Sequence, residues 1–330
     1  MSNIQKFDEN IYAKVCKENK EFLEDYIMEM RSRKLKDKTI EQYSFDIRLF
    51  FCYCYTELKN KPIIRLKRKQ FRRFFIDYQE TGVSNARINR VQCSLRNFLE
   101  YLTSDEDIIE DYEVEINYMS KIKGLVKEEV REIVFLTDEE IQAIIKRLVK
   151  DKEYQKALLI ALSYESGGRR NEIYQVTKDS LMDESNNKTN EVVGKRGKRF
   201  ELRYFSKTKE IFKLYLDQRG NDNEPYLWYK KEGEEVSEIG YTTLYQWVVD
   251  ARNIYQEIYG TRKLFNNHSF RHANAENLLN GTHYILKELG RDSLDLGEIK
   301  LLLHHQSTTT TETYVIDRDE IKEEELFGTE

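Results

Sequence analysis

Apolar residues recur every three or four positions through the first hundred residues, which is the spacing of amphipathic helices. One helix is predicted over about residues 39–54, and another over about 85–102 with Ser84 as its N-cap. Between them lies an apolar stripe with the same spacing, made of Phe71, Phe74, Phe75 and Tyr78. The first hundred residues are therefore predicted to be entirely helical.

The pattern after residue 133 predicts a mixed α/β domain. Thr137 and Glu140 have capping-box spacing ahead of a helix that ends near Val149, and a buried helix should follow over about 154–164. β-branched and aromatic residues on both sides of the Gly-rich segment 194–199 predict a β-hairpin with a basic tip. Helical spacing returns from Thr242 onward. The predicted fold class is mostly α with a small β-sheet.

A change in composition separates these two halves. Residues 105–115 are strongly acidic and show no periodicity, and the stretch after them does not have the pattern of a core element. A chain of 330 residues is long enough for two compact domains. We expect a helical domain at 1–104, an interdomain linker at 105–133, a second domain at 134–316 and an acidic C-terminal tail at 317–330.

The net charge of −5 argues against a polyanionic partner, but this average hides a strong asymmetry. The tail from Asp317 to Glu330 carries −5 by itself, so the rest of the chain is neutral. Between Lys61 and Arg96 there are ten basic and two acidic residues, a net of +8. The basic residues are Lys61, Arg65, Lys67, Arg68, Lys69, Arg72, Arg73, Arg87, Arg90 and Arg96.

Cysteine usage and hydropathy indicate the compartment. The four cysteines all lie in the first third of the chain without C-x-x-C spacing, which favours reduced, buried thiols over disulfides or zinc. No run of about eighteen apolar residues occurs, and the N-terminus lacks the features of a secretory signal. We expect a soluble cytoplasmic protein with no membrane contact.

Three separated segments concentrate the residue types that phosphoryl transfer needs: cations for the phosphate, proton donors and acceptors, and a nucleophile. They are residues 165–173, 268–272 and 301–314. The first contains SGGRRNEI from Ser166, the second is HSFRH from His268, and the third contains LLHHQS from Leu302 followed by TTETY ending at Tyr314. Each segment alone is a weak signal, but their order over about 150 residues is a strong one.

These segments resemble the T-G-L-R-x-S-E-L, H-x-L-R-H and L-L-G-H-S-S…T-T-x-x-Y boxes of the tyrosine recombinase (phage integrase) family. The hairpin VGKRGKR from Val193 resembles the family's V-x-G-K-G-x-K-x-R turn, and the helices of residues 17–103 resemble its core-binding domain. His305 and Tyr314 stand nine residues apart, as in the family. The catalytic positions that the resemblance assigns are Arg169, Lys195, His268, Arg271, His305 and Tyr314.

The resemblance implies a helical, SAM-like core-binding domain and a mixed α/β catalytic domain that together enclose duplex DNA. It implies site-specific cleavage and rejoining of DNA through a 3′-phosphotyrosyl intermediate, with no metal or cofactor, in a tetramer on paired sites. Accessory DNA-bending proteins and a nucleoid-associated location in the cytoplasm, for a bacterial or phage-encoded protein, fit this activity. The residues expected to contact DNA are Lys38, Lys67, Arg68, Lys69, Arg72, Arg73, Arg87, Arg90 and Arg96.

In this activity two arginines hold the phosphate, because a guanidinium contacts two oxygens at once and stays protonated. By resemblance Tyr314 is the nucleophile, His268 serves in proton transfer and His305 hydrogen-bonds the phosphate. Lys195 is the candidate general acid for the leaving 5′-hydroxyl. Arg196 and Lys198, on the same turn, are alternatives for that last role.

Two features depart from the family pattern. His304 stands where the family has glycine, and residues 283–297 lengthen the gap between the second and third boxes, either as an inserted surface turn or as a partner contact. With the acidic balance, these keep open an inactive recombinase-fold protein that acts as a DNA-binding regulator or repressor. A topoisomerase would share the chemistry. Arg170, His272 and His283 are interpreted as structural residues.

Overall fold

The computed structural model describes residues 7–112, 116–126, 134–183, 186–233 and 235–304. The chain divides into two compact units, Met1–Glu132 and Ile133–Glu330. Among the described residues, no helix is long and apolar enough to cross a membrane.

The first unit is helical, as its periodicity predicts. Its helices are α1 (Glu9–Tyr12), α2 (Lys17–Ser32), α3 (Asp37–Glu57), α4 (Arg68–Gln79), α5 (Asn85–Leu102) and α6 (Glu106–Tyr112), with single 3₁₀ turns at Ile63–Arg65 and Tyr118–Lys121. The predicted apolar stripe of α4 is buried, and Phe74 packs edge-on against Phe50 of α3 with ring centroids 4.9 Å apart. The oxygen of Ser84 accepts a hydrogen bond from the backbone of Arg87 and so caps α5, as expected.

The stretch expected to be a linker contributes to this core as far as Leu125. Ile108, Met119 and Ile122 are buried in the same hydrophobic cluster as the helices. Arg96 of α5 donates hydrogen bonds to the carbonyls of Met119 and Ile122, and Asn117 donates one back to the carbonyl of Arg96. Side-chain bonds to the backbone give this non-periodic segment its structure, and such bonds leave no hydrophobic pattern in the sequence.

The second unit is built around one central helix. Its helices are α7 (Asp138–Lys150), α8 (Tyr154–Ser166), α9 (Arg170–Tyr174), α10 (Ser206–Arg219), α11 (Thr243–Tyr259), α12 (Asn267–Leu279), α13 (Ile285–Leu289) and α14 (Leu296–Leu302). Residues 157–166 of α8 are all buried, and residues 157–162 among them are all apolar. Thr137 and Glu140 form the predicted capping box at the start of α7.

Two antiparallel hairpins complete the second unit. β1 (Lys188–Val193) pairs with β2 (Arg199–Arg203) through Val192 opposite Phe200, and the predicted basic tip lies between them as the 3₁₀ turn Lys195–Gly197. β3 (Tyr229–Glu232) pairs with β4 (Glu235–Glu238), a hairpin that the sequence did not predict. Its residues are mostly charged and exposed, so the strands lack the alternation that marks a half-buried sheet.

The segment 283–297 is anchored by buried residues near its two ends, while residues 287–293 between them are exposed. Ile285 and Leu286 of α13, together with Leu294, are buried in a second hydrophobic cluster with Leu278 of α12 and Leu303 at the end of α14. This segment therefore forms the support on which the end of α14 lies.

Candidate functional site

The first motif begins where α8 ends in a left-handed glycine. Gly167 has φ +59° and is the C-cap of α8. A Cβ atom on Gly167 would lie 2.2 Å from Cδ2 of Leu303, so the loop after α8 and the end of α14 approach each other too closely for any side chain there. The first and third motifs are thereby brought into contact.

Arg271 of the second motif joins the same two segments. Its guanidinium is buried and donates hydrogen bonds to the carbonyl of Gly167 and to the carbonyl of Leu303, the latter at 2.7 Å. Gly167, Arg271 and Leu303 each come from a different motif that the sequence analysis singled out. One side chain therefore gathers all three segments.

Arg169 is held at the N-terminus of α9 by a buried carboxylate. Glu172 accepts a hydrogen bond from the backbone N–H of Arg169 at 2.8 Å. It also forms an ion pair with Nη1 of Arg169 at 3.1 Å. The Arg169 side chain keeps 32% of its surface exposed, whereas that of Glu172 keeps 2%. Glu172 thus orients the Arg169 guanidinium. Because the Arg169 side chain stays partly exposed, it is accessible to an anion.

His268 begins the second motif one turn of α12 before His272. The two rings meet edge-to-face with centroids 4.9 Å apart. Desolvation of the ring lowers the pKa of His268 to about 4, and the charges on His272, Arg271 and Arg169 add to this effect. Burial and the neighbouring cations, both arginines among them, therefore keep this imidazole neutral at pH 7 and make it a weaker base than a free imidazole.

The hairpin between β1 and β2 reaches the same region. A Cβ atom on Gly194 would lie 2.7 Å from Cε1 of Phe200 and 3.1 Å from Oε1 of Glu172, so the hairpin backbone lies close to the carboxylate that holds Arg169. Lys195 follows Gly194 and is exposed. Lys198 donates a hydrogen bond to the carbonyl of His304 at 3.3 Å. The side chain of Arg196 lies outside the described part.

His304 adopts the conformation that favours glycine. Its φ is +54°, which explains in physical terms why glycine suits this position. Its ring lies 4.2 Å from that of Phe200, and its Nε2 is 3.2 Å from the carbonyl oxygen of Glu201. Desolvation lowers the pKa of His304, with smaller contributions from the charges on Lys198 and Arg271, whereas the hydrogen bond to the Glu201 carbonyl acts in the opposite direction.

Buried polar residues that the motif search passed over support the site. Asn274, three residues after Arg271 on α12, donates a hydrogen bond to the carbonyl of Tyr164 at 2.6 Å. Glu165 is fully buried and accepts hydrogen bonds from the backbone of Phe205 at 2.7 Å and from the hydroxyl of Tyr284 at 2.8 Å. The only sequence signal for Asn274 was its spacing from Arg271.

The residues interpreted as structural have well-defined contacts. His283 is buried and stacks on Tyr164 with centroids 4.0 Å apart, and desolvation lowers its pKa to about 3. Arg170 lies 4.3 Å over the ring of Tyr241. No group of three His, Cys, Asp or Glu residues suited to a metal ion occurs within the described ranges.

The residues expected to contact DNA divide into three groups. Lys67, Lys69, Arg72 and Arg73 are exposed at or near the start of α4, and Lys38 is exposed on α3. Arg68 and Arg96 instead donate hydrogen bonds to backbone carbonyls of residues 119–122.

Arg87 and Arg90 of α5 share one buried carboxylate. Asp46 of α3 lies 2.5 Å from Nη1 of Arg87 and 3.4 Å from Nε of Arg90. The carboxylate of Asp46 is fully buried, whereas Arg87 keeps 21% of its side chain exposed and Arg90 keeps 44%. Desolvation raises the pKa of Asp46 against the opposing effect of Arg87. Both arginines therefore have a fixed anchor, and Arg90 retains much of its surface toward solvent.

Two predicted catalytic residues, His305 and Tyr314, lie outside the described residues, as does the acidic tail from Asp317. The described chain ends at His304, immediately before His305. Of the six predicted catalytic positions, Arg169, His268 and Arg271 are brought into one neighbourhood, and the hairpin carrying Lys195 borders it.

The sequence profile of the phage integrase family matches residues 134–320, more than half of the chain. The SPbeta prophage-derived recombinase-like protein YomM of Bacillus subtilis is 24% identical over 315 residues, which cover 92% of this chain and 88% of that protein. A tyrosine recombinase of Pseudothermotoga lettingae is 24% identical over 302 residues, covering 89% and 93%.

Two solved structures have a similar fold over most of the chain. XerH recombinase bound to palindromic difH substrate in a post-cleavage complex matches with a TM-score of 0.66 and 20% identity, covering 99% of this chain and 90% of that one. A lambda integrase dimer bound to a COC′ core site matches with a TM-score of 0.65 and 18% identity, covering 91% and 77%. The predicted fold class is thereby confirmed.

Proposed function

Because this chain belongs to the phage integrase family, we propose that it is a site-specific tyrosine recombinase that cleaves and rejoins duplex DNA through a 3′-phosphotyrosyl intermediate. The observation that carries the proposal is the placement of Arg271. This side chain ties the three motif segments together, beside an oriented Arg169 and a neutral His268.

The two arginines are assigned to the scissile phosphate. Negative charge grows on the non-bridging oxygens as the phosphate becomes five-coordinate, so donors fixed in advance around those oxygens lower the barrier. Arg169 has partial exposure and a carboxylate that orients it, and Arg271 is held by main-chain carbonyls. Arg169 is thus oriented before DNA binds, whereas the buried Arg271 reaches a phosphate only after its surroundings move.

The other predicted catalytic residues are assigned to the successive steps of strand cleavage. The phenolate of Tyr314 attacks phosphorus, the bond between phosphorus and the 5′-oxygen breaks, and Lys195 protonates that oxygen as it leaves. His268 accepts the proton from Tyr314, and His305 hydrogen-bonds the phosphate. Reversal of these steps with a second 5′-hydroxyl rejoins the strand, so the bond energy is conserved and no ATP is needed.

Duplex DNA is the proposed partner, bound by a homotetramer on paired sites. The exposed basic residues at the start of α4 and the anchored pair Arg87 and Arg90 are the groups proposed to contact phosphate. The lambda integrase and XerH structures are protein–DNA complexes, which supports this assignment. Backbone contacts of this kind position a protein on DNA without reading its sequence.

A covalent adduct tests the proposal. Duplexes that the purified protein retains from a random-sequence library are given a nick close to the bound centre, so that the cleaved strand diffuses away and rejoining fails. We expect a DNA-linked band on denaturing gels for the wild type and none for Tyr314→Phe. Arg169→Ala and Arg271→Ala should lower the rate of its formation by at least about a hundredfold.

The binding step provides the control. Tyr314→Phe should retain the same duplexes with unchanged affinity, because only the nucleophile is removed. If the wild type binds specific duplexes and never yields an adduct from any position of the nick, the chain is a DNA-binding regulator with a recombinase fold, and the proposed activity is wrong.

A further inference from the structure

The β1–β2 hairpin contacts the end of α14 through a cluster of residues that has been given no function above. We call the cluster of Gly194, Lys198, Phe200, Glu201 and His304 the hairpin clasp. We propose that His304 is a positioning residue that sets the place of Lys195 for protonation of the leaving 5′-oxygen; this inference rests on the proposed function.

The clasp joins His304 to the hairpin at three points. The imidazole packs against the Phe200 ring at 4.2 Å, its Nε2 donates to the carbonyl of Glu201 at 3.2 Å, and the His304 carbonyl accepts from Lys198 at 3.3 Å. Ring, side-chain nitrogen and backbone oxygen are thus all engaged by one hairpin. A glycine at position 304 would keep only the last of these contacts.

Phe200 carries the contact onward to Lys195. The edge of its ring meets the backbone of Gly194, where a Cβ atom would come within 2.7 Å. Phe200 also pairs with Val192 across the two strands. A shift of the Phe200 ring would therefore move the backbone of Gly194, and with it Lys195, which is the next residue.

The hairpin clasp explains why His304 has a backbone conformation that is unfavourable for a residue with a side chain. A φ of +54° is unfavourable for a residue with a Cβ atom by about 1 kcal/mol or more, so contacts of the side chain must offset it. The preceding carbonyl, that of Leu303, accepts a hydrogen bond from Arg271. His304 therefore links the hairpin to the segment fixed by a phosphate-binding arginine.

This arrangement has a specific chemical consequence. Protonation of the leaving oxygen depends on where Lys195 lies, whereas attack by Tyr314 and stabilisation of the phosphate do not. A substrate in which sulfur replaces the 5′-bridging oxygen leaves as a thiolate and needs no general acid, because thiols are far more acidic than alcohols. In that substrate the bond between phosphorus and sulfur breaks and the electron pair stays on sulfur.

The experiment compares adduct formation on nicked duplexes with oxygen or sulfur at the bridging position. With the oxygen substrate, His304→Gly should be about tenfold to a hundredfold slower than the wild type, since a displacement near 1 Å has that effect. With the sulfur substrate its rate should return to within about twofold of the wild type. Lys195→Ala is the positive control for this rescue.

Two further variants separate the ring from the backbone. His304→Phe keeps a ring to pack on Phe200 and should lose less activity than His304→Gly, although both lose the bond to Glu201. Phe200→Leu should reproduce the sulfur-rescued defect of His304→Gly. Urea unfolding of each variant verifies that the second unit is folded.

The outcomes are distinguishable. An equal loss of rate on both substrates would mean that His304 acts on the phosphate-binding groups or the nucleophile, and no loss on either would mean that it positions nothing; each result overturns the inference while leaving the recombinase activity intact. Absence of an adduct from the wild type on both substrates would overturn the proposed function and this inference with it.

Discussion

One methyl group is enough to test how closely α8 approaches α14. Gly167→Ala places a Cβ atom against Leu303 at a residue with φ +59°, so we expect a loss of about 2 kcal/mol or more in the free energy of unfolding, together with slower adduct formation. Urea denaturation and the adduct assay measure the two effects. Displacement of Leu303 would also disturb the carbonyl that accepts from Arg271.

Gly260→Ala is the matched control for this prediction. Gly260 is also a left-handed C-cap, of α11, but a Cβ atom there would meet open space. It should lose only about 1 kcal/mol and keep its activity. Equal destabilisation by the two substitutions would mean that the backbone conformation alone matters and that the approach of α8 to Leu303 does not.

The titration of His268 is a second prediction at this scale. Its pKa is lowered from 6.5 to about 4, so the folded protein binds this proton less readily than the unfolded chain. The associated stability is present above pH 6.5 and is lost as the pH falls from 6.5 toward 4. In proton NMR spectra, the ring signal that is absent from His268→Gln should titrate near pH 4. A midpoint near 6.5 would show that neither burial nor the neighbouring cations lower the pKa of this ring.

At the scale of elements, the end of α10 depends on an ion pair around a buried guanidinium. The side chain of Arg219 is fully buried, and Asp222 accepts from its Nη2 at 2.6 Å and from Lys178 at 3.1 Å. These cations hold the pKa of Asp222 well below its usual range, with Arg219 the larger cause. Its stabilising effect is therefore complete at neutral pH and declines only in acid.

Asp222→Asn should lower the free energy of unfolding at pH 7 by about 3 kcal/mol, because it leaves a buried cation without its charged partner. Asp217→Asn is the control, since Asp217 is an exposed aspartate on α10 itself and should change the stability by less than about 0.5 kcal/mol. Urea midpoints of the two variants give the comparison. Similar urea midpoints for the two variants would show that the ion pair does not stabilise the end of α10.

Elements with strong periodicity could be predicted from the sequence, and those held by polar contacts could not. The helix predicted over about 85–102 is α5 (Asn85–Leu102), and the basic hairpin lies where the turn residues indicate. The β3–β4 hairpin was missed because its strands are charged on both faces. In the segment 283–297, residues 287–293 are exposed as a surface turn would be, but the anchoring residues Ile285, Leu286 and Leu294 are too irregularly spaced to be recognised from the sequence.

The candidate site shows the same division. Resemblance to the family's motifs singled out Arg169, His268 and Arg271, which the structure brings into one neighbourhood, and their catalytic roles remain predictions. It missed Glu172 as the partner of Arg169 and Phe200 as the partner of His304, since these depend on which segments meet in three dimensions. His305 and Tyr314 remain predictions.

At the scale of the whole molecule, the split among the basic residues predicts the salt dependence of DNA binding. Arg72 is exposed on α4, so Arg72→Ala should reduce the slope of log affinity against log salt by about 0.9, the effect of one lost phosphate contact. Arg96 bonds to the carbonyls of Met119 and Ile122, so Arg96→Ala should leave the slope unchanged and lower the stability by about 1–3 kcal/mol.

Binding isotherms at several salt concentrations, with the DNA retained in the library selection, make this comparison. An equal fall in the slope for Arg72→Ala and Arg96→Ala would show that Arg96 contacts DNA despite its hydrogen bonds to backbone carbonyls. A slope that falls for neither would move the DNA contacts away from this face of the first unit.

The way Arg271 is held bears on how an acidic protein attracts a polyanion. The carbonyls of Gly167 and Leu303 that receive its hydrogen bonds bear no formal charge, so these bonds fix the guanidinium without neutralising it. Its positive charge is therefore retained, and salt screens it from exposed charges that lie more than about 8 Å away. Acidic residues farther away can then raise the solubility of the chain, while the attraction between Arg271 and the phosphate in the proposed reaction stays the same.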